Sequence, residues 1–177
     1  MNGRVAATLI FSGLPLLPHY AMAQAADSKV QIAQVIEKFR AAIANQDEEA
    51  FMKLFLKEEV TWTSIITDAT IERIYATRPK PELKRPFKHF ASSPRNFFRS
   101  NIKGQGKIDE AISNVRIDTD GDIAQVWFDY SFVNDGYKEN WGKESWQMVR
   151  TADGWKIAGG VWSQEINPTP RSANGAP

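Results

Sequence analysis

The chain of 177 residues contains no cysteine and only two histidines. Without thiols, disulfides, thiolate metal sites and cysteine nucleophiles are all excluded, whatever compartment the protein occupies. With so few imidazoles no zinc site is expected, and Asp118, Asp120 and Asp122 lack the downstream Glu of a calcium loop, so no metal or cofactor is expected. A surplus of one charge is lacking as well: 22 Lys and Arg face 21 Asp and Glu. Nucleic-acid binders usually carry a clear positive excess, so no nucleic-acid partner is expected. Nor is there an uninterrupted apolar run near the roughly 20 residues that a membrane-spanning helix needs. What is present is 42% apolar and 11% aromatic content, enough for a globular core and too much for an acidic disordered chain.

The first segment has a different character from the rest. Arg4 precedes an apolar stretch from Val5 to Leu17 broken by Pro15, and Ala21-Met22-Ala23 follows. A basic start, about a dozen apolar residues and a small-x-small ending are the marks of a secretory signal peptide. Residues 1–23 are therefore read as that peptide, removed after Ala23, and the protein as periplasmic or secreted. Loss of Arg4 balances basic against acidic residues and leaves His89 as the sole histidine. One domain is expected over 24–166, followed by a disordered tail over 167–177 that holds three prolines.

Within the domain, Ile32, Val35, Ile36, Phe39 and Ile43 recur at helical spacing, with Asp27 or Ser28 as the expected cap and Asn45 near the end. A second helix fits Asp47 to Leu56, and the β-branched and aromatic run Val60 to Thr67 reads as a strand. From Asp68 to Gln105 four prolines break the pattern, but Ser92 or Ser93 before Pro94 predicts a helix carrying Phe97, Phe98 and Ile102. Four strands follow, near 108–118, 123–134, 143–150 and 155–164, separated by Asp-Gly pairs that favour tight hairpins. This order gives an α+β fold with helices covering one face of a mostly antiparallel sheet.

Ile32 to Ile43 followed by Asn45-Gln46-Asp47, and Gly154-Trp155-Lys156-Ile157 with Val161-Trp162-Ser163, resemble the nuclear transport factor 2-like superfamily in its exported SnoaL-like branch. The resemblance implies a cone-shaped curved sheet wrapped around helices, an apolar pocket and commonly a homodimer. Fold is better specified than function, because the superfamily includes isomerases, dehydratases, cyclases, hydrolases and non-enzymes. Its steroid isomerases use a Tyr on the first helix, where this chain has Phe39. Its dehydratases of the scytalone type use two His, and only His89 stands in this domain. Its epoxide hydrolases use an Arg and two Asp; Arg116 and Asp118 have a suggestive spacing, but Asp118 abuts the turn at Thr119 to Gly121. No catalytic set transfers intact, and no catalytic residue is assigned.

Strand alternation nominates the pocket lining. Ala124, Val126, Phe128, Tyr130 and Phe132 should face the helices, with Gln125, Trp127, Asp129 and Ser131 turned outward. Trp62, Tyr130, Glu144 and Trp146 are the expected ligand-binding residues, a carboxylate among aromatics that burial would make a weaker acid. The alternative is a core Trp146 and a Glu144 paired with a lysine at a strand end. An outward Trp127 suggests that the outer sheet face joins two copies.

Between Arg73 and Lys107 lie ten basic residues and only one acidic, Glu82. This basic arm is read either as a field for an anionic ligand or anionic lipid, or as charge neutralised internally. The leading expectation is a protein that binds a small, partly apolar molecule, an anionic group being allowed by the arm. The competing one is a pocket isomerase, dehydratase or hydrolase with Glu144 or Asp129 as base and Tyr130 as proton donor.

Overall fold

The computed structural model describes residues 17–171. Residues 1–16 of the expected signal peptide and 172–177 of the expected tail lie outside the described residues. Ten elements follow in order: α1 (Leu17–Ala44), α2 (Glu48–Met52), β1 (Thr61–Ile66), α3 (Asp68–Ala76), β2 (His89–Ser92), α4 (Pro94–Asn101), β3 (Ile108–Thr119), β4 (Ile123–Asn134), β5 (Tyr137–Thr151) and β6 (Gly154–Ile166).

The helices form where their ends are satisfied. In α2 the Asp47 side chain accepts the Ala50 N–H at 2.9 Å, and in α4 the Ser93 hydroxyl accepts the Asn96 N–H at 3.2 Å with Pro94 in the first turn. The start of α1 differs from the expected cap. Good helix formers in Ala21-Met22-Ala23-Gln24-Ala25-Ala26 carry the helix upstream, so Ser28 is an interior, buried position. Gln46 ends the first helical segment in a left-handed conformation, and its amide then clasps the α4–β3 loop by bonds with Gln105, Gly106 and Gly104.

All six strands make one sheet in the order β2-β1-β6-β5-β4-β3, antiparallel except for the β1–β6 pair. Asp135 and Gly136 both take positive φ at the β4–β5 hairpin, the requirement of a tight turn between twisted strands. Register shifts interrupt the β3–β4, β4–β5 and β5–β6 ladders, and bulges of this kind bend a sheet. The predicted apolar face of α1, from Ile32 to Ile43, is buried against the sheet together with Phe51, Phe98, Val126 and Phe128. Trp146 stands at its centre, 4.9 Å from Phe39 and 5.0 Å from Phe128 between ring centroids.

Gly160 is required by this packing. A Cβ there would lie 2.3 Å from Cζ3 of Trp62 and 2.7 Å from Cε3, closer than van der Waals contact allows. Gly160→Ala is expected to lower stability by about 1–3 kcal/mol through overpacking, read from the shift in urea midpoint. An unchanged midpoint would refute the stacking of Trp62 on that strand.

Candidate functional site

The register of the sheet assembles one concave wall. Ser92 pairs with Trp62, Trp62 with Gly160, and Gly160 with Trp146. The next row runs from Phe90 through Ser64, Trp162 and Glu144 to Phe128. Tyr130 and Phe132 extend the same face of β4, opposite Ile112 and Glu110 of β3. Together with α4, this wall borders a half-open cavity of about 470 Å³, within the range of small-molecule sites.

One side of the cavity is aromatic. Trp162 lies 5.2 Å from Trp62 and 5.5 Å from Phe97 by ring centroids, and Phe39 closes the back. The other side is polar, with Glu110, Glu144, Tyr130, Asn134, Glu139 and Asn140 among the lining residues. Both Glu110 and Glu144 are almost wholly buried. Removal from water pushes the Glu144 carboxyl up to about 8, opposed by the Trp146 Nε1–H, which donates to its Oε1 at 2.6 Å. Burial also raises Glu110, helped by the nearby Glu144 and Asp109 and opposed by Arg40. Among the described residues nothing hydrogen-bonds to the Glu110 carboxyl; Arg40 Nε–H donates instead to its backbone oxygen at 3.0 Å.

The Tyr130 hydroxyl, raised by burial and by the two carboxyls, has acceptors at 3.0 Å in Asn140 Oδ1 and the Ser163 carbonyl. The unmet polar atoms also concentrate here. Trp62 Nε1 and Asn134 Oδ1 are two of the three buried side-chain atoms without a partner among the described residues. Orphans of this kind are uncommon, and both belong to residues of the cavity wall.

Comparison by sequence matches no known family profile and no curated protein. Comparison by structure is informative. A protein of nuclear transport factor 2-like type with a cystatin-like fold from Novosphingobium aromaticivorans superposes with a TM-score of 0.60 at 15% identity, over 92% of this chain and 96% of that one. A dehydratase, provisionally so named, of the same type from Streptomyces avermitilis gives 0.55 at 15% identity over 80% and 98%. A protein of unknown function from Mycobacterium tuberculosis gives 0.60 at 12% identity over 83% and 77%. The fold is nuclear transport factor 2-like.

On this nuclear transport factor 2-like frame, Trp62, Tyr130 and Glu144 all reach the cavity as alternation implied. Trp146 does not: it is fully buried behind the lining and meets the site through its bond to Glu144 and its ring contact with Phe39. Asp129 is also corrected as a candidate base. It sits on the outer face, ion-paired with Lys143 and accepting from Asn114 Nδ2 at 2.7 Å, and these contacts hold its carboxyl below the usual range.

Glu110 and Trp162 were missed by the sequence reading. Glu110 had a signal, a carboxylate in the alternating set Ile108, Glu110 and Ile112. Trp162 reaches the wall because the β5–β6 ladder slips between Gln147 and Met148. Trp155 and Ile157 therefore share the inner face with Gly160 and Trp162, which strict alternation would place opposite.

The basic arm is largely neutralised within the nuclear transport factor 2-like domain. Arg73, Arg85 and Lys88 pair with Glu165, Glu72 and Asp68. Arg95, Arg99 and Lys103 converge on Glu48, whose carboxyl they lower to about 2, and so tie α4 to α2. The cavity lining includes Glu110, Glu139 and Glu144 but no Lys or Arg among the described residues. Six of the arm's ten basic residues are thus paired with carboxylates outside the cavity, and the cavity's own lining carries carboxyl groups.

Proposed function

We propose that this is an exported binding protein whose cone cavity holds one small, partly apolar molecule without an acidic group. The observation that carries this reading is a half-open cavity lined by aromatic rings and by polar groups, two of which have no hydrogen-bond partner among the described residues. Rings supply contact area, while the carboxyls, Asn134 and Asn140 orient polar substituents. Export rests on the sequence pattern of residues 1–23. Pairing of two copies through the outer sheet face is part of the proposal, supported by Trp127 and Val161, each nearly half exposed there. Arg78, Lys80, Lys84 and Lys107, for which no carboxylate partner is found among the described residues, are what remains of the arm for an anionic lipid surface, Arg78 donating only to the Tyr75 and Pro81 backbone oxygens.

Titration with 2-phenylethanol, followed by tryptophan fluorescence and melting temperature, tests the pocket. Trp62 and Trp162 should report binding, and the midpoint should rise with ligand concentration. Ser100→Trp, an exposed change at the α4 side of the mouth, should abolish the response at unchanged intrinsic stability. No response to neutral or cationic aromatic probes would refute the reading.

A second reading is favoured by the convergence of Glu144 and Tyr130 on one cavity. In an isomerase, dehydratase or hydrolase, Glu144 would serve at neutral pH as a proton donor rather than a base, because burial keeps it protonated.

A further inference from the structure

The chemistry of the occupant can be narrowed, on the basis of the pocket reading above. Glu110 is nine-tenths buried, aimed into the cavity and free of any hydrogen-bond partner on its carboxyl among the described residues. Glu144 shares the cavity, and its Oε1 is held by Trp146. Two neighbouring carboxyls in one aromatic chamber lack only a cation.

The surrounding groups do not provide one. From α1, Arg40 spends its guanidinium on the Glu110 backbone oxygen and on Glu37. On β3, Asp109 is exposed. On β4, the Tyr130 hydroxyl donates to β5 or β6, and on β5 Glu139 accepts from Asn134. On α4, Arg95 and Arg99 are engaged by Glu48 outside the cavity. Trp62, Phe97 and Trp162 line the same cavity, Trp162 being the cross-strand neighbour of Glu144, and aromatic ring faces attract cations.

We propose that the cavity selects a primary or secondary ammonium group carried on an aromatic or alicyclic body, with Glu110 and Glu144 receiving the cation. The incoming ammonium keeps its protons, one neutral carboxyl ionises beside it, and that carboxyl's proton leaves to solvent. Binding near neutral pH is therefore coupled to proton release.

The test compares 2-phenylethylamine, 2-phenylethanol and phenylacetate by calorimetry at pH 7 in Tris and in phosphate, whose ionisation heats differ. The amine should bind about ten-fold or more tighter than the alcohol, the worth of one charge-assisted hydrogen bond. Phenylacetate should bind weakest, and the buffer difference should report about one proton released per amine. Glu110→Gln should bring the amine and alcohol affinities together; Glu110→Asp, which retains an acid, should keep the preference.

Equal binding of alcohol and amine, tighter binding of phenylacetate, or amine binding without proton release would overturn the ammonium proposal and leave the pocket reading standing. Absence of binding by all three would overturn both.

Discussion

Trp146→Ala is expected to remove about 3–5 kcal/mol of folding stability, the cost of emptying a fully buried indole. The ring is in edge contact with Phe39 and Phe128 and sits where helix α1 meets the middle of the sheet. Domains of this size are stable by roughly 5–15 kcal/mol, so the loss would bring the variant close to its unfolding threshold at 37 °C. Urea unfolding measures the change, and a loss under about 1 kcal/mol would contradict the central position given to this ring. Trp146→Phe separates packing from polarity. It keeps most of the apolar volume but leaves Glu144 without the N–H donor, so its carboxyl should titrate still higher than in the parent protein.

The second large effect is on the dependence of stability on pH. Glu144 has an ordinary value of 4.5 and a folded-state value of about 8. Below the ordinary value it is neutral in both states and its contribution is fully present. As pH rises through that window the unfolded chain releases the proton while the folded protein retains it. Stability then falls by about 1.4 kcal/mol per pH unit, on the order of 5 kcal/mol by pH 8. Glu110, also raised by burial, acts in the same direction.

Carboxyls held low by basic partners, including Glu48, Glu58 and Asp68, oppose this at the acid end, since their contribution is lost as pH falls. Maximum stability is therefore expected near pH 5. Glu144→Gln should flatten the alkaline limb and be more stable than the parent protein at pH 9, by urea unfolding at each pH. Parallel profiles for the two proteins would refute the burial of a neutral carboxyl at this position.

The parts of the fold that were legible are those where one local pattern had no competitor. The apolar spacing of α1, the Ser93-Pro94 start of α4 and the Asp-Gly hairpins each specify one conformation. Helix α3 was not read because Thr70, Ile71 and Ile74 suit a strand as well as a helix; Thr67, which accepts the Thr70 N–H at 3.2 Å, decides the matter. Strand β2 has no buried face and is held as a strand by pairing with β1, a long-range contact invisible in four residues. In the site, period-two alternation was sufficient for Trp62, Tyr130 and Glu144. It failed for Trp162, beyond a bulge, and Trp146 shows that facing the interior does not make a residue part of the cavity.

The slip beside Gly159 and Gly160 also divides strand β6 into two stretches with different duties. Up to Ile157 its inward side chains are committed to the core, and from Gly160 onward they border the cavity. Substitutions at Trp162 and Gln164 can therefore reshape the chamber while Trp155 and Ile157 keep the scaffold intact. A strand divided in this way allows the chamber to be altered by substitution without disturbing the packing on which the fold depends.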